Sequence, residues 1–252
     1  MTSSSAWKKI FDDYKILNND FKKSPFLISA QQIKESTKKF KSVNEREVRI
    51  LCKQDTREDR PGVFKENNLF ILPVKNGYYA IVKGEGYFDV PAISSGPILY
   101  EPKIDFELKS SKVGNSEMQH LDYAYATSII RTFSEDPSLV LTIRGRKYTP
   151  KFDFKVCGIN LAVESVQTEV DAGYEGKNKI VLVEAKNSDT TNVIIRQLYY
   201  PFRQWKINTG KDVELVFFEK KKDLYNLWRF EFKDENDYNS ISLLDSKKFK
   251  TN

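Results

Sequence analysis

The amino-acid sequence predicts a mixed α/β fold: a mixed central sheet flanked by helices, with an N-terminal α+β elaboration. Three observations carry this. Met118, Leu121, Tyr125 and Ile129 form an apolar stripe at helical spacing, and strand-like runs follow it. A second helical segment near 191–207 is then succeeded by alternating runs at 213–218 and 224–232, so helices and strands interleave through the second half. In the first half, Asn76-Gly77 separates two apolar runs, a strong hairpin signal because both turn positions need positive φ.

In chain order, Trp7, Ile10, Phe11, Tyr14, Leu17 and Phe21 predict a helix over 7–23, and Ser29 opens another over about 29–41. Arg49 to Lys53 reads as a short strand, followed by a polar loop from Gln54 to Gly62. Leu69–Lys75 and Tyr78–Lys83 are the arms of the hairpin, and Gly84-Glu85-Gly86 is a turn. Pro91, Pro97 and Pro102 mark an irregular connection with room for a strand within 98–108. Ser116-Glu117-Met118-Gln119 has the form of a capping box, and the helix it opens ends at Asp136-Pro137. Strands are expected at 139–144, 151–157, 161–171 and 179–186. Pro201 implies a kink in the following helix, or a helix in two pieces. The lysine-rich tail 245–252 is expected to fray. Residues 1–110 form the N-terminal elaboration and 111–252 the core; one compact domain or two both fit.

Composition narrows the chemistry. With 40% hydrophobic and 13% aromatic residues the chain is globular. A net charge of +6 and a pI near 9.0 favour an anionic partner, although a solvated basic surface has the same composition. Cys52 and Cys157 stand far apart in apolar runs, as reduced cysteines do in a cytoplasmic protein, and neither a signal peptide nor a membrane span is visible. One histidine, His120, and two isolated cysteines exclude Cys/His zinc sites and histidine-based nucleases. Hydrolytic chemistry here would have to run on carboxylates and lysine, with His120 as a surface or packing residue.

Those groups converge in residues 166–187. This stretch reads as two strands joined by a glycine-containing loop, the first ending on Asp171 and the second on Glu184-Ala185-Lys186. By the period of two, Glu184 and Lys186 share a face with Ile180 and Leu182, and Glu169 shares one with Asp171. Two carboxylates suit a hard divalent cation, and a lysine beside them suits a metal-activated water. An ordinary hairpin with solvated cross-strand charges is the competing reading.

Asp171, twelve residues, then Glu184-x-Lys186 resembles the signature of the PD-(D/E)XK nuclease superfamily, with Val170 where that signature often has proline. Glu-Val-Asp-Ala-Gly-Tyr-Glu, then Val-Glu-Ala-Lys-Asn and Arg-Gln-Leu-Tyr-Tyr-Pro, most resembles type II restriction endonucleases. The resemblance implies a restriction-endonuclease-like α-β-β-β-α-β core. It also implies Mg2+, one ion or two with Mn2+ able to substitute, held by Asp171, Glu184 and the Ala185 carbonyl, with Lys186 beside the attacking water. Its products would carry 5′-phosphate ends. The expected partners are double-stranded DNA, a second copy in a homodimer and a cognate DNA methyltransferase.

Further candidates stay open at this level. Glu117 or Asp122 could supply a helix carboxylate, and Glu169 could support the metal or be a surface charge. Gln197, beside Arg196, could orient water, contact DNA or simply be polar helix surface. Arg57, Arg60, Lys112, Arg144, Arg146 and Lys147 are basic, loop-borne candidates for phosphate or base contacts. A repair, recombination or junction-resolving nuclease and a non-catalytic DNA-binding module remain as alternatives.

Overall fold

The computed structural model describes residues 4–186 and 190–251. Its N-terminal part packs α1 (Ser4–Asp13), α2 (Ala30–Thr37), α3 (Val48–Leu51) and α4 (Gly62–Glu66) on one face of a small sheet. That sheet orders β1 (Phe26–Ser29), β3 (Tyr78–Lys83) and β2 (Leu69–Lys75) as β1-β3-β2, with the Asn76-Gly77 turn joining β2 to β3. Trp7 anchors the layer: its indole N–H donates to the Leu51 carbonyl at 3.0 Å, and its ring meets Phe64 edge-on at 4.8 Å. The first helix stops at Asp13, short of the expected 23, because Lys15 turns left-handed at φ 49°. Ser29 does cap α2, in a reciprocal box with Gln32.

Residues 48–51 are helical where a strand was expected. Val48 and Leu51 both point into the layer beneath Trp7, and a three-residue interval brings both inward only in a helix.

The second half is built on a seven-stranded mixed sheet among the described residues. Its strands are β5 (Ile98–Tyr100), β6 (Val140–Tyr148), β9 (Gln167–Glu175), β10 (Lys179–Lys186), β12 (Asp212–Lys221), β13 (Leu224–Phe232) and β14 (Ile241–Thr251). The spatial order is β5-β14-β13-β12-β10-β9-β6. β6, β9 and β10 are antiparallel neighbours, whereas β12 runs parallel to β10. A parallel neighbour requires a crossover, supplied by α7 (Arg196–Thr209). On one face lie α5 (Glu117–Ala126) and α6 (Ile129–Phe133), packed on Val181, Val183, Val216 and Phe218. On the other, α7 covers Ile180, Leu182, Leu215 and Phe217, beside the hairpin of β7 (Phe152–Val156) and β8 (Ile159–Val163). Short β4 (Tyr87–Asp89) and β11 (Asn192–Ile194) pair where the N-terminal layer meets this core.

Several local expectations are corrected. The helix opened by Ser116 is two helices, broken where Ser128 adopts φ 68°. The expected strand 161–171 is divided by a turn at Ser165, φ 54°, into β8 and β9, and β9 continues to Glu175. Cys157 lies in the β7–β8 turn at φ 49° rather than in a strand, and Cys52 caps the C-terminus of α3. Residues 192–194 are strand, and α7 then passes through Pro201 as one helix. The lysine-rich tail is β14, bonded to both β13 and β5, because Phe249 is buried while its lysines face outward to Asp223, Glu135 and Asp245. No described helix is long and apolar enough to cross a membrane.

Gly173 permits the close β6–β9–β10 contact. A Cβ there would stand 2.7 Å from the Ile143 Cβ and 3.1 Å from Leu182. Gly173→Ala is expected to cost about 1–3 kcal/mol by overpacking, measured as a lowered urea midpoint at unchanged slope.

Candidate active site

The site forms where the β9–β10 ladder ends. Regular pairing runs from Ile180–Glu175 to Val183–Ala172, so Asp171 and Glu184 are the next residues on adjacent strands. On the other side of β9, Ile143 pairs with Gly173 and Gly145 with Val170, leaving Asp171 and Ala172 opposite the single residue Arg144. This is a β-bulge, a device that re-aims a side chain. Val170 packs in the cluster under α7 and Ala172 in the cluster under α5 and α6, so the alternation breaks at Asp171. Asp171 is also interior to β9 and not at its end as expected.

The re-aimed carboxylate takes over the ladder: Asp171 Oδ2 accepts the Ala185 N–H at 2.8 Å. The N–H and C=O of a strand residue point to the same neighbour, so the Ala185 carbonyl faces the Asp171 side as well. Glu184 continues the apolar face of Ile180 and Leu182 yet is only 8% exposed, and its Oε1 accepts from Lys186 Nζ at 2.5 Å.

Burial sets the electrostatics. It pushes the Glu184 carboxyl up to about 7; Lys186 opposes the shift, while Asp171 and Asp55 add to it. Burial also raises Asp171, opposed by the Ala185 N–H and Lys186 and reinforced by Glu117 and Glu169. For Lys186, burial disfavours the ammonium, but Glu184, Asp171 and Glu117 outweigh it and the pKa rises. Buried Glu184 and half-buried Asp171 thus share one lysine, and the excess negative charge is what a divalent cation would neutralise. Among the described residues no three carboxylate, imidazole or thiol groups gather at metal-ligating distance. Carboxylate and backbone carbonyl oxygens are the donors that a hard divalent cation accepts.

The structure gathers some of the other candidates and disperses the rest. Glu117, in the first turn of α5, acts on both Asp171 and Lys186, whereas Asp122 pairs with Arg144. Glu169 pairs with Arg146 at 3.3 Å, both side chains being more than half exposed. Gln197 and Glu184 line the same crevice, and the Gln197 Oε1 is buried with no hydrogen-bond partner. His120 bonds Asn115 at 2.8 Å; burial, then Lys220, lowers its pKa.

Arg144, Arg146 and Lys147 lie on the outermost strand β6, not on a loop. Arg57 is engaged by Glu85 and Asp89, and Arg60 donates to the carbonyls of Arg57 and Leu69 with its guanidinium over Tyr87. The Lys112 side chain and Asn187 lie outside the described residues. Asp55 was passed over in the sequence, where it is one charge in a polar run; no local pattern marks it.

A family model described as a domain of unknown function (DUF6997) matches residues 82–250, and another, a domain of unknown function (DUF6996), matches residues 4–81. No curated protein and no solved structure matches the chain. With more than half of its residues matched by the first of these models, the chain belongs to the family of domain of unknown function DUF6997.

Proposed function

We propose that the chain is a metal-dependent endonuclease of the type II restriction class, hydrolysing phosphodiester bonds in double-stranded DNA at a specific sequence. The observation that carries this reading is the convergence of Asp171, Glu184 and Lys186 at the end of one ladder, with Lys186 bonded to Glu184 and Asp171 to Ala185. The helix–strand–strand–strand–helix–strand order around that ladder is the core that the PD-(D/E)XK resemblance implies, which supports it further.

Asp171, Glu184 and the Ala185 carbonyl would hold Mg2+ or Mn2+, which supplies a lowered water pKa and charge neutralisation at the phosphate. Lys186 stands beside these carboxylates, where its ammonium can orient the attacking water and stabilise charge gathering on phosphorus oxygens. Gln197, whose amide oxygen has no partner, can accept a hydrogen bond from that water. Arg144, Arg146 and Lys147 on the outer strand would meet the DNA backbone. Two copies, as a homodimer, would serve the two strands of a symmetric site, and a cognate methyltransferase would protect host DNA.

The test is digestion of phage and plasmid DNA with Mg2+, followed by run-off sequencing of the ends. Discrete fragments with 5′-phosphates are expected. A smear would point instead to a repair or recombination nuclease. Intact DNA across a broad panel would leave a non-catalytic binding module.

A further inference from the structure

Two strands away from Asp171, the sheet carries a further carboxylate at the level of the candidate site. β10 and β12 are parallel neighbours, and Lys186 pairs in register with Glu219. Side chains of register partners leave the same face of a sheet, on strands about 4.8 Å apart. Glu219 therefore stands beside Lys186, one strand over, on the face that carries Glu184. On its other side Glu219 pairs with Asn226 of β13, whose Nδ2 donates to Glu219 Oε2 at 3.0 Å.

Both members of that pair are buried. Glu219 is 7% exposed and Asn226 8%, and Asn226 Oδ1 is buried with no partner. Carboxylates are almost never buried to this degree unless paired with a cation, and a neutral amide does not offset the charge. Lys186 is the cation in register with Glu219, and its ammonium is bonded to Glu184. Lys248 is two strands away, across Asn226, and Lys221, further along β12, is exposed. Lys186 thus lies between two buried carboxylates, Glu184 two residues back along its own strand and Glu219 across the ladder.

We infer that Glu219 is a positioning residue for Lys186: it receives the ammonium when a divalent cation takes the Glu184 carboxylate. The inference rests on the nuclease reading, which gives Glu184 to the cation. Without Glu219, cation binding would leave the displaced ammonium without the buried carboxylate in register with it, at a cost to affinity and to the placement of the lysine.

Calorimetric titration of the full chain with calcium alone tests it, with Mg2+-dependent cleavage measured in parallel. Glu219→Gln keeps the shape of the side chain; it should weaken calcium binding by about 10-fold and lower kcat with little change in KM for DNA. In a Lys186→Ala background there is no ammonium to receive, so the same substitution should leave calcium affinity within about twofold. Glu219→Asp, one methylene shorter, should lose less, and the comparison with and without Lys186 applies to it equally if the glutamine variant does not fold. A merely structural role, or a simple loss of negative charge, predicts the same weakening whether or not Lys186 is present. That result, or a Glu219→Gln chain that binds calcium and cuts like the wild type, overturns the inference and leaves the nuclease reading standing. If the wild type itself neither binds calcium nor cuts DNA, the nuclease reading fails and this inference falls with it.

Discussion

Lys186→Ala should abolish DNA cleavage, with a loss of about 10²–10³-fold or more in the single-turnover rate at saturating Mg2+. The expectation follows from the site's charge balance. Lys186 is the cation bonded to Glu184, it acts on Asp171 as well, and Glu117 acts on both Lys186 and Asp171. Removing it deletes the group placed to orient water, leaves buried Glu184 without its cation, and leaves Asp171 with the Ala185 N–H but no cation. The fold should survive near neutral pH, because Glu184 already titrates at about 7 and can take up a proton in place of the lost partner. Circular dichroism and a thermal melt check this independently of activity. Lys186→Arg should not restore the rate, since a planar guanidinium cannot reproduce a compact ammonium beside the water. A Lys186→Ala protein that cuts at the wild-type rate would remove the lysine from the mechanism.

The second large effect is on stability against pH. Glu184 has an ordinary pKa of 4.5 when exposed and one raised by burial to about 7 in the folded chain. Between these values the folded state holds a proton that the unfolded state has lost. The contribution of this group is therefore fully present below 4.5 and disappears as pH rises through about 7. It amounts to about 3 kcal/mol, and the upward shift of Asp171 acts in the same direction. Urea unfolding of metal-free protein from acid to mildly alkaline pH should show stability falling across that window. Glu184→Gln should flatten the fall, and the difference between the two profiles isolates the group. A divalent cation competes with the same proton, so added Mg2+ should stabilise the protein more at pH 8 than at pH 6. Parallel profiles for wild type and Glu184→Gln would mean that the carboxyl is not buried as described.

Local pattern explains which parts of this architecture were legible beforehand. The β2–β3 hairpin was readable because Asn76-Gly77 has few conformations compatible with two flanking apolar runs. The start of α2 was readable from Ser29, which caps it. Glu184 and Lys186 were placed on one face by strand periodicity, and the 2.5 Å contact between them follows from it. Boundaries failed where a single residue leaves the ordinary backbone region, as at Lys15, Ser128 and Ser165. The lysine-rich tail failed for a different reason: composition suggested solvent, but Phe249 and the edge of β13 hold the strand in place.

The order of helices and strands, and the pair formed by Glu184 and Lys186, follow from intervals of two to four residues along the chain. Such intervals need nothing beyond backbone geometry and the burial of apolar groups. The approach of Asp171 to Ala185 depends instead on a bulge created by how β6 and β9 align, and that alignment is settled by packing on both faces of the sheet. Asp55 meets Ile194 and Arg196 across more than a hundred residues because its loop docks on β11 and α7. Nothing near position 55 in the chain encodes that distance; it arises when separate apolar faces are buried together and bring their polar margins into contact.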